Sequence, residues 1–188
     1  MPSMGFVQQL ATGAMMTIQV AVCAYLLALV IGTFFALITL RPTLLARVIW
    51  IPYASIFTGV PSLLVGFLFY YGGSQIVAGV LAPFGIGQRI EITPFMAAVA
   101  ALGMVYGAYL ADLIRSAIQN VPHGQFEAAR VLLVPRSAIW LKIILPQMLR
   151  LALPGMTNMW IVVLKDTALI SLILSLIHIS EPTRLLSI

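Results

Sequence analysis

Few residues in this chain can do chemistry, and none of them stand together. The five acids are Glu91, Asp112, Glu127, Asp166 and Glu181, the two histidines are His123 and His178, and the one cysteine is Cys23. No set among them has the spacing of a general acid with its base, a nucleophile with its base, or a group of metal ligands. No glycine-rich phosphate loop is present, so the chain is not expected to bind ATP itself. The spacing argues against an enzyme, a metal site or a cofactor. What stands out is residues 124–146, the most polar and most basic part of a very apolar sequence. The stretch opens Gly124-Gln125-Phe126-Glu127-Ala128-Ala129-Arg130 and closes Ile143-Ile144-Leu145-Pro146. Its chemistry is recognition. Glu127 is the one acid among Arg130, Arg136, Lys142 and Arg150, so it is placed to meet a cation, either local or on a partner.

Two short helical patterns must position those groups, split at Val134-Pro135. In the first, Phe126, Ala129 and Leu133 fall three or four apart, on one helix face. Pro135 suits the first turn of the second, where its missing N–H costs little. A helical pair with these charges cannot sit in lipid, so its apolar face calls for a protein partner.

The rest of the chain is built for a membrane. Of 188 residues, 62% are hydrophobic and 8% charged, and mean hydropathy is +1.09. Soluble domains carry about 25% charged residues. The composition therefore predicts an all-α integral membrane protein, one domain of four or five spans joined by short loops. Cys23 has no partner for a disulfide within the chain and reads as a small hydrophobe in an apolar run. The first apolar run is longer than the core of a signal peptide and has no basic flank before it, so it reads as a span.

Taken in order, the first span is expected over 13–40. Within it Ala24, Ala28, Gly32 and Ala36 recur every fourth residue, a groove for close helix approach. The second apolar stretch covers 48–71 and is interrupted by Pro52 and by Thr58-Gly59-Val60-Pro61. Such breakers are either kinks satisfied by neighbouring helices or the moving, substrate-lining backbone found in transporters. A short interfacial helix is expected near 75–81. A loop then carries Gly85, Gly87 and Gln88-Arg89-Ile90-Glu91. The third span covers 94–118, with a second small-residue stripe at Gly103, Gly107 and Ala111. Asp112 and Arg115 share a face three residues apart and can pair. They serve either as an anchor near the span end or, if Asp112 faces inward, as part of a transport path. A fourth apolar segment ends near 164. Asn158, Lys165 and Asp166 border it, as interface anchors or as path-lining groups.

Charge placement orients the bundle. Arg41 and Arg47 lie between spans one and two, and Arg115, Arg130, Arg136, Lys142 and Arg150 between spans three and four. Single crossings put both regions on one side. The positive-inside rule makes that side the cytoplasm and places the N-terminus outside.

Several strings resemble a known family. Glu127-Ala128-Ala129 followed by Ile143-x-Leu145-Pro146 is similar to the cytoplasmic "EAA" loop in permease subunits of bacterial ABC importers. Gly59-Val60-Pro61 with Leu63-Leu64 and Phe69-Tyr70-Tyr71-Gly72 resembles the members for polar and basic amino acids. So do Tyr106-Gly107-Ala108-Tyr109-Leu110-Ala111-Asp112 and Lys165-Asp166-Thr167-Ala168-Leu169-Ile170-Ser171. The resemblance covers 13–173 and is nearest to the histidine, ornithine and octopine type. It implies a type I importer helical bundle in the bacterial inner membrane. It also implies a homologous permease partner, ATPase subunits below and a periplasmic or lipoprotein substrate-binding protein outside. In the family the coupling element docks on the ATPase, which assigns that role here to Gly124, Glu127, Ala128, Ala129, Leu133, Ile143, Leu145 and Pro146. The translocation path falls to Thr58, Gly59, Pro61, Asp112, Asn158 and Asp166. Nothing suggests a nucleic-acid partner. The alternative is a secondary transporter or channel, which calls for an inverted repeat or ion-binding carboxylates within the membrane; no repeat is visible, and Asp112 alone is thin support.

The chain departs from the family in two places. Gly is usual six residues after the glutamate, where it permits a left-handed turn; here stands Leu133, which must either extend the helix to Pro135 or accept strain. From Leu174 the family pattern stops. Leu174-Ser175-Leu176-Ile177-His178-Ile179-Ser180-Glu181-Pro182-Thr183-Arg184 resembles the translation of a transposon-based sequencing adapter. Residues 1–173 are thus expected to be a permease domain of four spans that lacks its final one, and 174–188 a non-native tail.

Overall fold

The computed structural model describes residues 3–41, 43–81 and 92–185, with side chains after Ile170 outside the description. The described residues are helical with no strand. In order they form α1 (Ser3–Thr39), α2 (Leu44–Gly59), α3 (Ser62–Leu81), α4 (Pro94–Gln119), α5 (His123–Val131), α6 (Arg136–Ala138), a π-helical segment (Ile139–Ile144) and α7 (Leu145–Leu185). The expected loop residues 85–91 lie outside the described residues, and no side chain of the 174–188 tail is described.

Helix α4 is the hub, packed against α1 most extensively and also against α7, α3 and α2. Its start is set by Thr93, whose Oγ1 accepts from the Met96 amide at 3.3 Å, with Pro94 next; a proline there gives up an N–H that would lack a partner anyway. The two small-residue stripes, each expected to pack a helix, meet each other. Ala24, Ala28 and Ala36 on α1 are buried, as are Gly103, Gly107 and Ala111 on α4. A Cβ added at Gly32 would lie 2.8 Å from the Leu110 Cβ and 3.1 Å from the Ala111 backbone nitrogen. One added at Gly103 would lie 2.5 Å from Leu27 Cδ2. Without hydrocarbon burial to drive association inside lipid, this close backbone contact supplies the dispersion energy that holds the pair together.

The contacts fix direction. Leu27 meets Gly103, Ile31 meets Gly107, and Ala36 clusters with Ile114 and Ile118, so α1 and α4 run parallel. Helix α7 runs against them: Met148 joins Ile114 and Ile118, Gly155 meets Leu113, and Asp166 reaches Tyr106. Among the described residues, three helical stretches, Leu10–Thr39, Pro94–Gln119 and Arg136–Ile170, are long and apolar enough to cross a membrane. With α1 and α4 parallel, the chain must return once between them, and α2 with α3 makes that return as a broken span bent by 105°. Val60 at the break is extended (φ −101°, ψ 132°) because Pro61 disfavours a helical residue before it. This count agrees with four spans.

The sequence pattern misplaces one element. The expected interfacial helix near 75–81 is instead the end of α3, which runs unbroken from Ser62 through Gly72 and Gly73. Glycine within a helix costs only about 1 kcal/mol against alanine, too little to stop α3 without a proline.

The α1–α4 contact gives a direct test. Gly32→Leu must displace backbone at Ala111 and should destabilise the purified protein by about 1–3 kcal/mol, read as a lower melting temperature in detergent. Gly13→Leu, where nothing lies within 4 Å of the added carbon, should leave it unchanged.

Candidate functional site

The polar loop folds back on the bundle end. Helix α5 buries Ala129 and, with Val134 just beyond its end, packs Phe126 against Val121, Ile139, Ile143, Ile144 and Met148. It ends in a left-handed turn: Leu132 is its C-cap and Leu133 has φ 53°. The Leu133 amide donates to the Arg130 carbonyl and the Val134 amide to the Ala129 carbonyl, each at 3.0 Å. This is the paired bonding of a Schellman motif, normally closed by glycine. Leu133 therefore takes the strained option of the two open to it, at about 1–2 kcal/mol.

That turn corrects the expected helix face. Phe126 and Ala129 share it, but Leu133 lies past the helix end and is 89% exposed. Phe126 and Ala129 find their apolar partners within the chain itself. What remains bare is the tip Val131-Leu132-Leu133, with Gly124, Glu127 and Ala128 also exposed on α5. Ile143 packs inward under α5, while Leu145 and Pro146 lie exposed at the start of α7. Pro135 stands at the N-cap of α6, one residue before the expected first turn. From there α6, the π segment and α7 follow without a break.

A second polar grouping lies between the helices, partly open to the surface of the chain. Asp166 on α7 is half-buried, and its Oδ2 accepts from Ser62 Oγ at 2.5 Å and from Tyr106 Oη at 2.6 Å. Ser62 is the first residue of α3, directly after the break. Beside it the Tyr109 hydroxyl donates to the Thr58 carbonyl at 3.2 Å. One carboxylate thus ties α7 to α4 and to the α2–α3 break, each charge-assisted bond contributing about 1.5–3 kcal/mol.

Of the expected path residues, Thr58, Gly59, Pro61 and Asp166 gather here. Asp112 does not; it is exposed on α4 one turn beyond Tyr109. Arg115 forms no hydrogen bond with it, and the buried Arg115 Nε has no hydrogen-bond partner among the described residues. Asn158 is exposed on α7, about two turns before Asp166. Sequence reasoning missed Ser62, Tyr106 and Tyr109. The two tyrosines sit seven residues or less from Asp112 in a recognisable string, but a tyrosine in a span reads as packing until its hydroxyl partner is visible. No cluster of metal-ligating side chains occurs among the described residues.

An apolar bundle of this topology, with a basic helical loop folded under one end, defines an integral membrane protein, and comparison with known proteins gives its class. Residues 28–184 match the family of binding-protein-dependent transport system inner membrane components, and the chain belongs to that family. The match includes part of the stretch after Ile173. The chain is similar to the arginine ABC transporter permease protein ArtQ of Escherichia coli, 38% identical over 181 residues that cover 87% of this chain and 74% of ArtQ. It is also similar to the histidine/lysine/arginine/ornithine transport system permease protein HisQ of Escherichia coli, 37% identical over 169 residues, 90% of this chain and 74% of HisQ. The fold matches a crystal structure of an amino acid ABC transporter with histidines, with TM-score 0.72 and 30% identity over 91% of this chain and 74% of that one. Family membership favours the inner-membrane permease reading over a secondary transporter or channel.

The turn at Leu133 predicts its own repair. Leu133→Gly should stabilise the purified protein by up to about 1 kcal/mol, the relief of left-handed strain less the glycine's greater unfolded freedom. Leu133→Val, branched at Cβ, should destabilise it. Thermal unfolding measures both, and a Gly variant clearly less stable than Leu would contradict the turn.

Proposed function

We propose that the chain is the transmembrane subunit of an ATP-driven importer of amino acids, with polar or basic amino acids or related opines as cargo. The observation that carries this reading is the loop end: a short helix anchored by Phe126 and Ala129 that presents Glu127, Ala128 and a bare Val131-Leu132-Leu133 tip to water. Contiguous exposed apolar surface next to charge marks a docking site. Its partner on this reading is an ABC ATPase subunit, which hydrolyses ATP while this chain performs no covalent chemistry. Gly124, Ala129, Ile143, Leu145 and Pro146 shape the same element. Arg41 shares this end of the bundle with the loop, and the positive-inside rule makes that end cytoplasmic. On this reading residues 1–173 form the permease domain and 174–188 lie outside it.

The cargo path runs along Thr58, Gly59, Pro61, Asp112, Asn158 and Asp166. It is completed by a homologous permease chain and fed by a periplasmic or lipoprotein binding protein. Mechanically, α5 is packed on the π segment, and that segment leads straight into α7, which carries Asp166. Closure of the ATPases moves α5, tilts α7 and loosens the hold of Ser62 and Tyr106 on the carboxylate. Helix pairs packed as rigid bodies move this way because their contacts have discrete arrangements.

Glu127→Lys tests the coupling role. Removing a charge paired at a desolvated contact costs about 2–5 kcal/mol. The variant should insert normally but lose co-purification of the ATPase, or uncouple hydrolysis from transport in liposomes. Unchanged co-purification together with unchanged substrate-stimulated hydrolysis would remove this loop from the coupling role.

A further inference from the structure

Beside the loop end lies an open cleft of about 900 Å³ between the last turns of α1, the end of α4 and α5. Its two halves differ in chemistry. The half on the span side is apolar, formed by Phe34 and Leu37, which are 58% and 52% exposed. The half on the water side carries Arg41 and Arg130 against the single acid Glu127, and all three are exposed. Trp140, 42% exposed, also lines the cleft, as do His123 and Phe126.

We propose that this cleft binds one anionic phospholipid of the cytoplasmic leaflet, its phosphate held by Arg41 and Arg130 and its acyl chains laid along Phe34 and Leu37. Charge complementarity selects the headgroup. Two guanidiniums against one carboxylate leave the wall net positive, and guanidinium forks match phosphate oxygens. The apolar half selects the tail. A free phosphate cannot cover it, and a water-soluble protein segment would leave Phe34 and Leu37 turned toward hydrocarbon. Basic pockets between spans on the cytoplasmic side are suited to anionic headgroups, and an indole at headgroup depth is a common interfacial anchor. Arg41 and the end of α1 lie outside the coupling loop, whereas Glu127, Arg130 and Trp140 belong to it, so binding is measured on the chain without its ATPase.

The full chain, purified and stripped of lipid in neutral detergent, is titrated with phosphatidylglycerol, phosphatidylcholine or inorganic phosphate, and bound lipid is counted by native mass spectrometry. One phosphatidylglycerol should bind clearly more tightly than phosphatidylcholine, and excess inorganic phosphate should not displace it. Arg41→Gln and Arg130→Gln should each weaken binding about fivefold. Arg47→Gln, which removes the same charge outside the cleft, should not. Equal binding of the two lipids overturns the proposal, as does displacement by inorganic phosphate, which would indicate a free-anion site. An Arg47→Gln loss equal to that of Arg41→Gln would do the same, since the effect would then be general charge.

Discussion

A carboxylate inside a lipid-spanning bundle must be met by donors, because hydrocarbon offers none and an unmet charge costs several kcal/mol. Asp166 is met by Ser62 and Tyr106, which stand on two other helices. Three chain segments far apart in sequence are thereby tied at one atom. The tie also falls where α2 ends and α3 begins, where the span backbone is interrupted by a 105° bend. An interrupted span is tolerated only if its freed polar groups find partners, and the Tyr109 bond to the Thr58 carbonyl supplies one of them. The broken span and the half-buried acid therefore depend on the same helix, α4, which the glycine and alanine contacts hold against α1.

The loop end depends on that tie through α7. Helix α5 has a small apolar face and keeps little of it in water, because Phe126 and Ala129, with Val134 beyond the turn, close on the π segment and Met148. The π geometry over Ile139–Ile144 is the point where the short α6 gives way to the long α7. Such segments are uncommon and often mark functional positions. On the proposed reading, α7 is the lever: its cytoplasmic start feels the docked ATPase, and its outer part holds or releases the broken span.

Much of this was legible in the sequence, and for physical reasons. Composition decided the membrane, and the four-residue recurrence of Ala24, Ala28, Gly32 and Ala36 pointed to the α1 contact, because only small side chains let two backbones approach so closely. Pro61 announced the break. The departure at position 133 was visible as a choice between a longer helix and a strained turn. The choice itself depended on paired backbone bonds to Ala129 and Arg130, which no residue type encodes, and it moved Leu133 off the face that its spacing implied. The partners of Asp166 were hidden for a similar reason. Serine and tyrosine within apolar strings carry donors whose targets depend on how helices cross. The same holds for Asp112 and Arg115, which share a helix face yet form no hydrogen bond with each other. The π segment has no sequence signature at all.

The central claim is that motion at the loop end reaches the broken span through α7. It is tested by replacing Cys23 with serine, placing spin labels at Val60 and Lys165, both exposed on the surface of the chain, and measuring their separation by pulsed electron paramagnetic resonance. The chain is assembled with its ATPase and compared with and without a non-hydrolysable ATP analogue. A nucleotide-dependent shift in the distance distribution is the predicted result. Identical distributions in a complex that demonstrably binds the nucleotide would contradict the account.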